Sequence, residues 1–203
     1  MDPVYRIGLI PHSPHLTDGS ICVRTWTFDD LPSVEEASRD PSIAYGTSLP
    51  SVFSDEEGRA FIERQQGRFT SGEGLSLVIA EESSDQAAGY VGLFHRQQAG
   101  VVGLGYWTVA SHRRQGHALG AAKLITRWAL NLPGIHRIEA LVHPSNTGSN
   151  KVLEGAGFVH EGLLRNLYPS EETRLDMNLF SLIRSDIENA SGGRLGASDG
   201  LPN

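Results

Sequence analysis

The segment from Val101 to Leu132 constrains the fold most, because a strand pattern passes through one short turn into a long helix pattern. The turn runs from Arg113 to Ala118 and places Gly116 directly before the helix. Free N–H groups and the helix dipole attract anions at a helix N-terminus, and glycine lets a phosphate approach the backbone without a Cβ in the way. The segment therefore predicts a phosphate site, where Arg113 and Arg114 can add charge-assisted hydrogen bonds.

Two other phosphate-binding motifs do not fit this turn. A P-loop requires Gly-Lys followed by Ser or Thr, which is missing here. A dinucleotide-binding fingerprint requires Gly-x-Gly-x-x-Gly after the first strand, and Gly116 and Gly120 have a different spacing. The alternative for this turn, taken alone, is a solvated helix start that contains a glycine by chance.

Strand and helix patterns alternate through the middle of the chain. Strands are predicted, from β-branched, aromatic and alternating apolar residues, at 21–27, 75–81, 88–95, 101–109, 137–143 and 174–181. Helices are predicted from Thr27 or Asp29 through Ala37, from a capping box formed by Ser54 and Glu57, at 116–132, and at 146–156 before a left-handed cap at Gly157. This order predicts a mixed α/β (α+β) domain with antiparallel hairpins and a strand–helix–strand unit.

The composition limits the classes of function. The chain has 203 residues and a formal net charge of −7, without the basic stripe that is typical of nucleic-acid binding. No apolar stretch approaches the roughly 20 residues that span a bilayer, no signal peptide is recognised, and the single cysteine, Cys22, rules out an intrachain disulfide. We therefore expect a cytoplasmic domain at 20–187, with an irregular arm at 1–19 and a disordered tail at 188–203.

These residues, taken with their context, resemble the GCN5-related N-acetyltransferase (GNAT) superfamily, and within it the RimJ/RimL-like branch. Arg113, Gly116 and Ala118 fit the signature R/Q-x-x-G-x-G/A between a strand and a helix. The resemblance covers residues 20 to 187 and includes further blocks at Leu104 to Trp107, Asn146 to Glu154 with Gly157 and Phe158, Glu161 to Arg165, and Leu179 to Arg184.

The resemblance implies a central, mostly antiparallel sheet that splays open between the strands near Tyr106 to Val109 and Arg137 to His143. Acetyl-coenzyme A would lie in the resulting V-shaped cleft as the cosubstrate. Its pantetheine arm would bond to the backbone at Trp107, Thr108 and Val109. Its pyrophosphate would lie on the loop amides, and the remaining cofactor-binding residues would be Arg113, Arg114, Gln115, Gly116, His117, Ala118, Leu119, Asn146 and Asn150. The histidines show no metal-ligand spacing, so no metal is expected.

Acetyl transfer requires a neutral amine, a polarised carbonyl and a hydrogen-bond or proton donor for the leaving thiolate. By resemblance, Ser149 donates a hydrogen bond or a proton to the leaving thiolate, Asn146 contacts the cofactor arm and His143 can relay a proton. Each also has a structural alternative: a serine bonded to its own helix, a helix N-cap and a strand-end histidine bonded to backbone. A backbone N–H near Val109 would hold the developing oxyanion.

The chain departs from the family at two positions. Many relatives carry a general-base Glu on the strand before the loop, where this chain has Gly103, and others use a Tyr acid where this chain has Leu153. Tyr168 and Asp176 are expected on the acceptor side, with structural or solvated roles as the alternative. An acyl-coenzyme A sensor without turnover is therefore a further class of function to test.

Without a strong base, the acceptor should be an amine that is already neutral. An α-amine with a pKa of about 7.8 is roughly 10% neutral at pH 7, whereas a lysine with a pKa of about 10.4 is roughly 0.04% neutral. The sequence therefore predicts direct acetylation, in a ternary complex, of a peptide or protein N-terminus. A small amine such as a polyamine, amino sugar or antibiotic is the alternative acceptor. A homodimer is compatible with the exposed strand edges of this fold.

Overall fold

The chain folds around one central sheet, and the computed structural model describes residues 13–44, 47–170 and 173–192. The strands are β1 (Leu16–Thr17), β2 (Ile21–Arg24), β3 (Gly74–Glu81), β4 (Ala87–His95), β5 (Val101–Thr108), β6 (Arg137–Val142), β7 (Val159–Pro169) and β8 (Arg174–Ile183). The helices are α1 (Leu31–Ser38), α2 (Pro41–Ala44), α3 (Asp55–Ser71), α4 (His117–Leu130), α5 (Thr147–Gly155) and α6 (Arg184–Gly192).

The eight strands follow the order β1-β2-β3-β4-β5-β6-β8-β7 across the sheet. All neighbouring pairs are antiparallel except β5 and β6, which run parallel and are connected through α4. This is the mixed, mostly antiparallel sheet flanked by helices that the sequence predicted, so the fold class is confirmed.

Two apolar cores lie on opposite faces of the sheet. On β5, Val102 and Leu104 belong to the larger core under α4, whereas Trp107, like Val109 directly after the strand, belongs to the smaller core under α1 and α3. Side chains alternate between the two faces of a strand, so one strand supplies both cores. The α4 residues in the larger core recur at helical spacing: Ala121, Ala122, Ile125 and Ala129.

The two parallel strands separate soon after they meet. Their ladder contains only Val101 with Arg137, Val102 with Ile138 and Gly103 with Glu139. Beyond Gly103, β5 stays paired with β4 alone, and β6 stays paired with β8. The V-shaped gap expected between these strands is therefore present.

The structure differs from the sequence prediction mainly at the ends of the domain. Leu16–Thr17, assigned to an irregular arm, forms the short strand β1. Residues 188–192, assigned to a disordered tail, continue α6, which packs Ile187 against the larger core. The rest of the predicted arm and tail, 1–12 and 193–203, lies outside the described residues.

Strand β7 was not predicted, because most of its residues are exposed and it lacks the alternation of a half-buried strand. Two predicted helix ends are confirmed. Ser54 accepts a hydrogen bond from the Glu57 N–H at 3.2 Å, which is the N-cap half of the capping box. Gly157 has the left-handed φ of +93° expected after α5.

No helix in the described part of the chain is both long and apolar enough to cross a membrane. Within the same residues, no group of three or more His, Cys, Asp or Glu side chains is arranged to hold a metal ion.

A buried ion pair fixes the start of α1 against β2. Arg24 on β2 contacts Asp30 at 2.9 Å and Asp85 at 2.6 Å, and Asp30 is only 2% exposed. Asp30 also accepts a hydrogen bond from the Thr27 N–H at 2.8 Å. The pair therefore holds the helix that covers the smaller core.

Replacing Asp30 with alanine should lower the free energy of unfolding by about 3 kcal/mol or more, because Arg24 keeps a largely buried charge and loses its buried partner. Urea denaturation measures this loss. The control is Glu35→Ala, which removes an exposed pair with Arg39 on α1 and should cost less than about 0.5 kcal/mol. Equal losses in both variants would contradict the role of the buried pair.

Candidate active site

The turn between β5 and α4 presents backbone amides rather than a side-chain cap. Gly116 is the N-cap of α4, with a φ of +87°, and no side chain caps the helix. Gly120 is bonded to the Gly116 carbonyl at 2.9 Å, so the N–H groups of His117, Ala118 and Leu119 have no carbonyl partner inside α4. A Cβ on Gly116 would meet nothing within 4 Å. An anion can therefore approach these amides closely.

Arg113 does not serve this anion site as the sequence analysis expected. Its Nε donates to the Thr108 carbonyl at 3.1 Å, and its terminal nitrogen bonds Asp40 at 2.5 Å and Ser42 at 3.2 Å. Hydrogen bonds from Ser42 and then from Arg113 lower the pKa of Asp40, so the carboxylate stays ionised. Arg113 therefore anchors the turn to α2 instead of offering its charge to a phosphate.

The neighbouring side chains of the turn divide between solvent and protein. Arg114 is exposed with a φ of +63°, and its guanidinium bonds to none of the described residues. Gln115 donates to the Ser111 carbonyl at 3.2 Å. His117 is buried, with Nδ1 3.0 Å from the His112 carbonyl oxygen. Arg114 is thus the cationic side chain available beside the amides, while Gln115 and His117 support the turn.

The inner edge of β5 offers backbone groups at different residues from those expected. Val109 donates its N–H to the Ala88 carbonyl at 3.0 Å, so it cannot hold an oxyanion. The Trp107 carbonyl also points toward β4. Its oxygen is so close to Gly89 that a Cβ on that glycine would lie 2.1 Å from it. Because direction alternates along a strand, the backbone groups of Tyr106 and Thr108 point to the gap instead. Of the predicted residues, only Thr108 offers its backbone there.

Tyr106 is a candidate that the sequence analysis missed. Its side chain reaches from β5 to the first turn of α5, where Oη lies 2.7 Å from Ser149 Oγ and donates to the Ser149 carbonyl at 3.1 Å. Burial raises the pKa of Tyr106 to about 12, although the hydrogen bond with Ser149 lowers it. The hydroxyl is therefore protonated at neutral pH. Ser149 bonds across the gap through Oγ, not to its own helix.

Two asparagines hold the turn before α5. Asn146 caps the helix, because its Oδ1 accepts from the Ser149 N–H at 3.0 Å. Asn150 donates to the Asn146 carbonyl at 2.7 Å and accepts from Asn178 on β8 at 3.0 Å. The capping alternative for Asn146 is confirmed, and Asn150 has a structural role that leaves its place on a cofactor a prediction.

His143 lies just after β6 and bonds within its own turn. Ser145 donates its backbone N–H to His143 Nδ1 at 3.3 Å, and Ser145 Oγ lies 2.7 Å from the same nitrogen. Both contacts occupy Nδ1 within the turn, so they favour the structural alternative.

The two departures from the family have a packing explanation. The Phe94 ring lies over Gly103, and a Cβ there would be 2.2 Å from the ring. Leu153 is fully buried in the larger core, so it fills space instead of facing the gap. No base or acid can act from either position in this packing.

A cavity of about 620 Å³ lies at the gap, and residues from both faces of the sheet line it. On one face, here called the α3 face, its walls include Phe61, Tyr90, Phe94 and Trp107. On the other, the α5 face, they include Tyr106, Asn146 and Ser149. The walls between are Leu104 and Gly105 of β5 and Ala140 to Val142 of β6. Side chains of the α3 face and the α5 face therefore border the same cavity between the strands.

The two residues expected to contact the acceptor have different positions. Tyr168 lines the cavity and is 36% exposed. Asp176 is absent from its walls and instead accepts a hydrogen bond from the Asn166 N–H at 2.8 Å. Asn166 has a φ of +53° at an irregularity between β7 and β8, so Asp176 stabilises that bend. The position of Tyr168 is compatible with its predicted role, and that of Asp176 favours the structural alternative.

Comparison with known proteins agrees with this geometry. Among curated relatives, the probable N-acetyltransferase YjcK of Bacillus subtilis is 31% identical over 67% of this chain and 76% of its own length. Among solved structures, Mycobacterium smegmatis RimJ in complex with CoA-disulfide has a TM-score of 0.72 at 20% identity, over 92% of this chain and 97% of RimJ. The ribosomal-protein-S5-alanine acetyltransferase of Vibrio fischeri has a TM-score of 0.70 at 19% identity, over 86% and 98% of the two chains.

The family model of the acetyltransferase (GNAT) domain matches residues 20–159, which is more than half of the chain. The splayed sheet, the glycine-capped α4 and the cavity between β5 and β6 are all included in or adjoin that span. The chain therefore belongs to the GNAT acetyltransferase family and is an acetyltransferase enzyme.

Proposed function

We propose that this enzyme transfers the acetyl group of acetyl-coenzyme A to the N-terminal α-amine of a peptide or protein, by direct attack in a ternary complex. The observation that carries the proposal is the cavity at the gap, because residues of both faces line it at the point where the strands diverge. The cosubstrate enters from the α5 face and the amine from the α3 face.

The backbone of β5 and α4 fits the chemistry of coenzyme A. The unpaired amides of His117, Ala118 and Leu119 suit the pyrophosphate, and exposed Arg114 adds a positive charge beside them. The backbone groups of Tyr106 and the N–H of Thr108 suit the amides of the pantetheine arm, because a hydrogen-bonded chain can replace the missing strand, while the Thr108 carbonyl is held by Arg113. This arrangement leads the thioester toward the Tyr106 hydroxyl.

Tyr106 and Ser149 act on the leaving thiolate as hydrogen-bond donors. With a pKa of about 12, Tyr106 is a weak acid toward a thiolate whose conjugate thiol has a pKa of about 8.5. Full proton transfer from Tyr106 would be uphill by about 5 kcal/mol. When the Tyr106 hydroxyl turns from the Ser149 carbonyl and donates its one proton to Ser149 Oγ, the Ser149 hydroxyl is free to donate to sulfur, which stabilises the charge as it develops.

The absence of a base at Gly103 makes the protonation state of the free acceptor decisive. Glu139 lies beside Gly103 in the ladder, but its carboxylate is bonded to Arg137 at 2.8 Å and does not line the cavity. An α-amine is neutral at pH 7 about two orders of magnitude more often than a lysine side chain. The α-amine is therefore the better acceptor.

The alternatives have weaker support. RimJ and the S5-alanine acetyltransferase share this fold, and the second is named for a ribosomal-protein acceptor, which supports a protein acceptor over the alternatives. A polyamine would favour an acidic acceptor site, whereas the described walls of the cavity contain no Asp or Glu. A sensor without turnover has no need of the donor pair formed by Tyr106 and Ser149.

Charge at position 116 should control coenzyme A binding. Gly116→Asp places a carboxylate at the unpaired amides, and Gly116→Asn places a neutral group of the same shape there, so both share the strain of the positive φ. We expect the aspartate variant to bind coenzyme A at least about tenfold more weakly than the asparagine variant, a difference of about 1.4 kcal/mol. Isothermal titration calorimetry measures both affinities, and equal values would argue against pyrophosphate at this site.

Loss of the donor pair should slow turnover without weakening cosubstrate binding. Tyr106→Phe and Ser149→Ala should each lower kcat by about 10- to 100-fold with little change in the KM for acetyl-coenzyme A, because the bonds strengthen only as the thiolate forms. The double variant should be little slower than either single variant, since the residues act as one unit. Additive losses in steady-state kinetics would contradict a shared role.

Acceptor preference should follow amine pKa. A peptide with a free N-terminus and an internal lysine should be acetylated at the α-amine, as mass spectrometry of the product can show. The rate should rise with pH through a single pKa near that of the free amine, about 7.8, with no falling limb up to about pH 10, because Tyr106 remains protonated until its pKa of about 12. Lysine acetylation without N-terminal acetylation would contradict the proposal.

A further inference from the structure

The α3 face of the cavity is positively charged. Two arginines, Arg68 on α3 and Arg96 just after β4, contribute to its walls, and the described lining residues include no Asp or Glu. A protonated amine gains nothing from such a wall, because like charges repel. A carboxylate, by contrast, would be attracted by both guanidinium groups.

Arg68 has no carboxylate partner within the described part of the chain. It lies in the last turn of α3, where the helix dipole favours a cation without neutralising it. It is half-buried and lines the cavity together with Tyr90 and Gln65. Its hydrogen-bond donors are therefore available to a ligand in the cavity.

Arg96 is held in place but is not saturated with hydrogen bonds. Its guanidinium carbon lies 5.1 Å from the centre of the Phe94 ring, which fixes the plane of the group. Its Nε is buried without a hydrogen-bond partner and forms a long ion pair with Glu139, whose carboxylate oxygen lies 3.7 Å away. Glu139 is itself bonded to Arg137 at 2.8 Å. Arg96 thus retains donors that the fold does not use.

We propose that Arg68 and Arg96 select acceptor peptides with an acidic side chain close behind the N-terminal amine. This inference rests on the proposed function, since it names the class of peptide that the same site accepts. Guanidinium groups bind carboxylates through charge-assisted and often bidentate hydrogen bonds, which gives orientation as well as attraction. The carboxylate would lie on the α3 face while the amine enters the gap beside Gly105.

The same two charges assist a reaction that has no base. Positive charge near the bound α-amine favours its neutral form, which is the form that attacks the thioester. The two arginines therefore have two effects on one peptide. They attract the carboxylate of the acidic residue, and they favour the neutral form of the α-amine.

Matched peptides and arginine variants test this inference. Three peptides differ only at positions two and three, which are Glu-Asp, Gln-Asn or Lys-Lys, and kcat/KM is measured for each with acetyl-coenzyme A. The wild-type enzyme should prefer the acidic over the neutral peptide by about 10- to 100-fold, the range expected for hydrogen bonds to charged groups. The preference should decrease as salt is added.

The arginine variants identify which residues are responsible. Arg68→Gln and Arg96→Gln should each reduce the ratio between acidic and neutral peptides by about tenfold, and Arg68→Glu should shift preference toward the Lys-Lys peptide. Arg59→Gln is the control, because Arg59 is on α3 but stacks on Phe28 and does not line the cavity. The ratio compares two peptides on the same variant. A loss of activity toward all peptides therefore leaves the ratio unchanged.

The outcomes separate the inference from the proposed function. Equal kcat/KM for acidic and neutral peptides in the wild-type enzyme would overturn the inference and leave N-terminal acetylation intact. A preference that survives in both arginine variants would overturn the assignment to these residues. If none of the peptides reacts but other amines are acetylated, the proposed function itself is wrong, and the inference with it.

Discussion

The backbone groups left without a strand partner where β5 and β6 separate are the feature on which the rest of the site depends. Both strands stay rigid there, because β4 and β8 continue to pair with their outer edges. Their inner edges therefore keep a fixed spacing and carry N–H and C=O groups that have no strand partner. A buried backbone group without a hydrogen-bond partner costs free energy. A cosubstrate that carries amides along its length can bond to these groups and so remove that cost.

The helix that follows β5 extends the same principle. An α-helix begins with N–H groups that have no internal partner, and Gly116 leaves them without a side-chain cap. The side chains around this turn mostly hold it in place, as Arg113 does through Asp40 and the Thr108 carbonyl. Main chain thus supplies the binding groups in the proposed complex, and side chains supply their position. In that proposed complex Tyr106 and Ser149 are the exception, since they would bring hydroxyls to the reacting atoms.

The features that the sequence predicted are local ones. The strand–turn–helix at Gly116 and the Asn146 cap depend on residues within a few positions of each other, so pattern and turn chemistry suffice to identify them. The contacts that were missed join distant parts of the chain: Tyr106 meets Ser149 across 43 positions, and Arg113 meets Asp40 across 73. The direction of the Val109 N–H likewise depends on strand register, which the sequence alone does not specify. The resemblance identified the family, whereas the contacts of individual side chains required the packing.

The most direct test of the account is a crystal structure of the enzyme with coenzyme A and an N-terminal product peptide. The account predicts pyrophosphate on the amides of His117 to Leu119, pantetheine along the inner edge of β5, and sulfur within hydrogen-bonding distance of the pair formed by Tyr106 and Ser149. The peptide should enter from the α3 face. Coenzyme A bound outside the gap, or sulfur remote from that pair, would contradict the central claim that the separated strands form the active site.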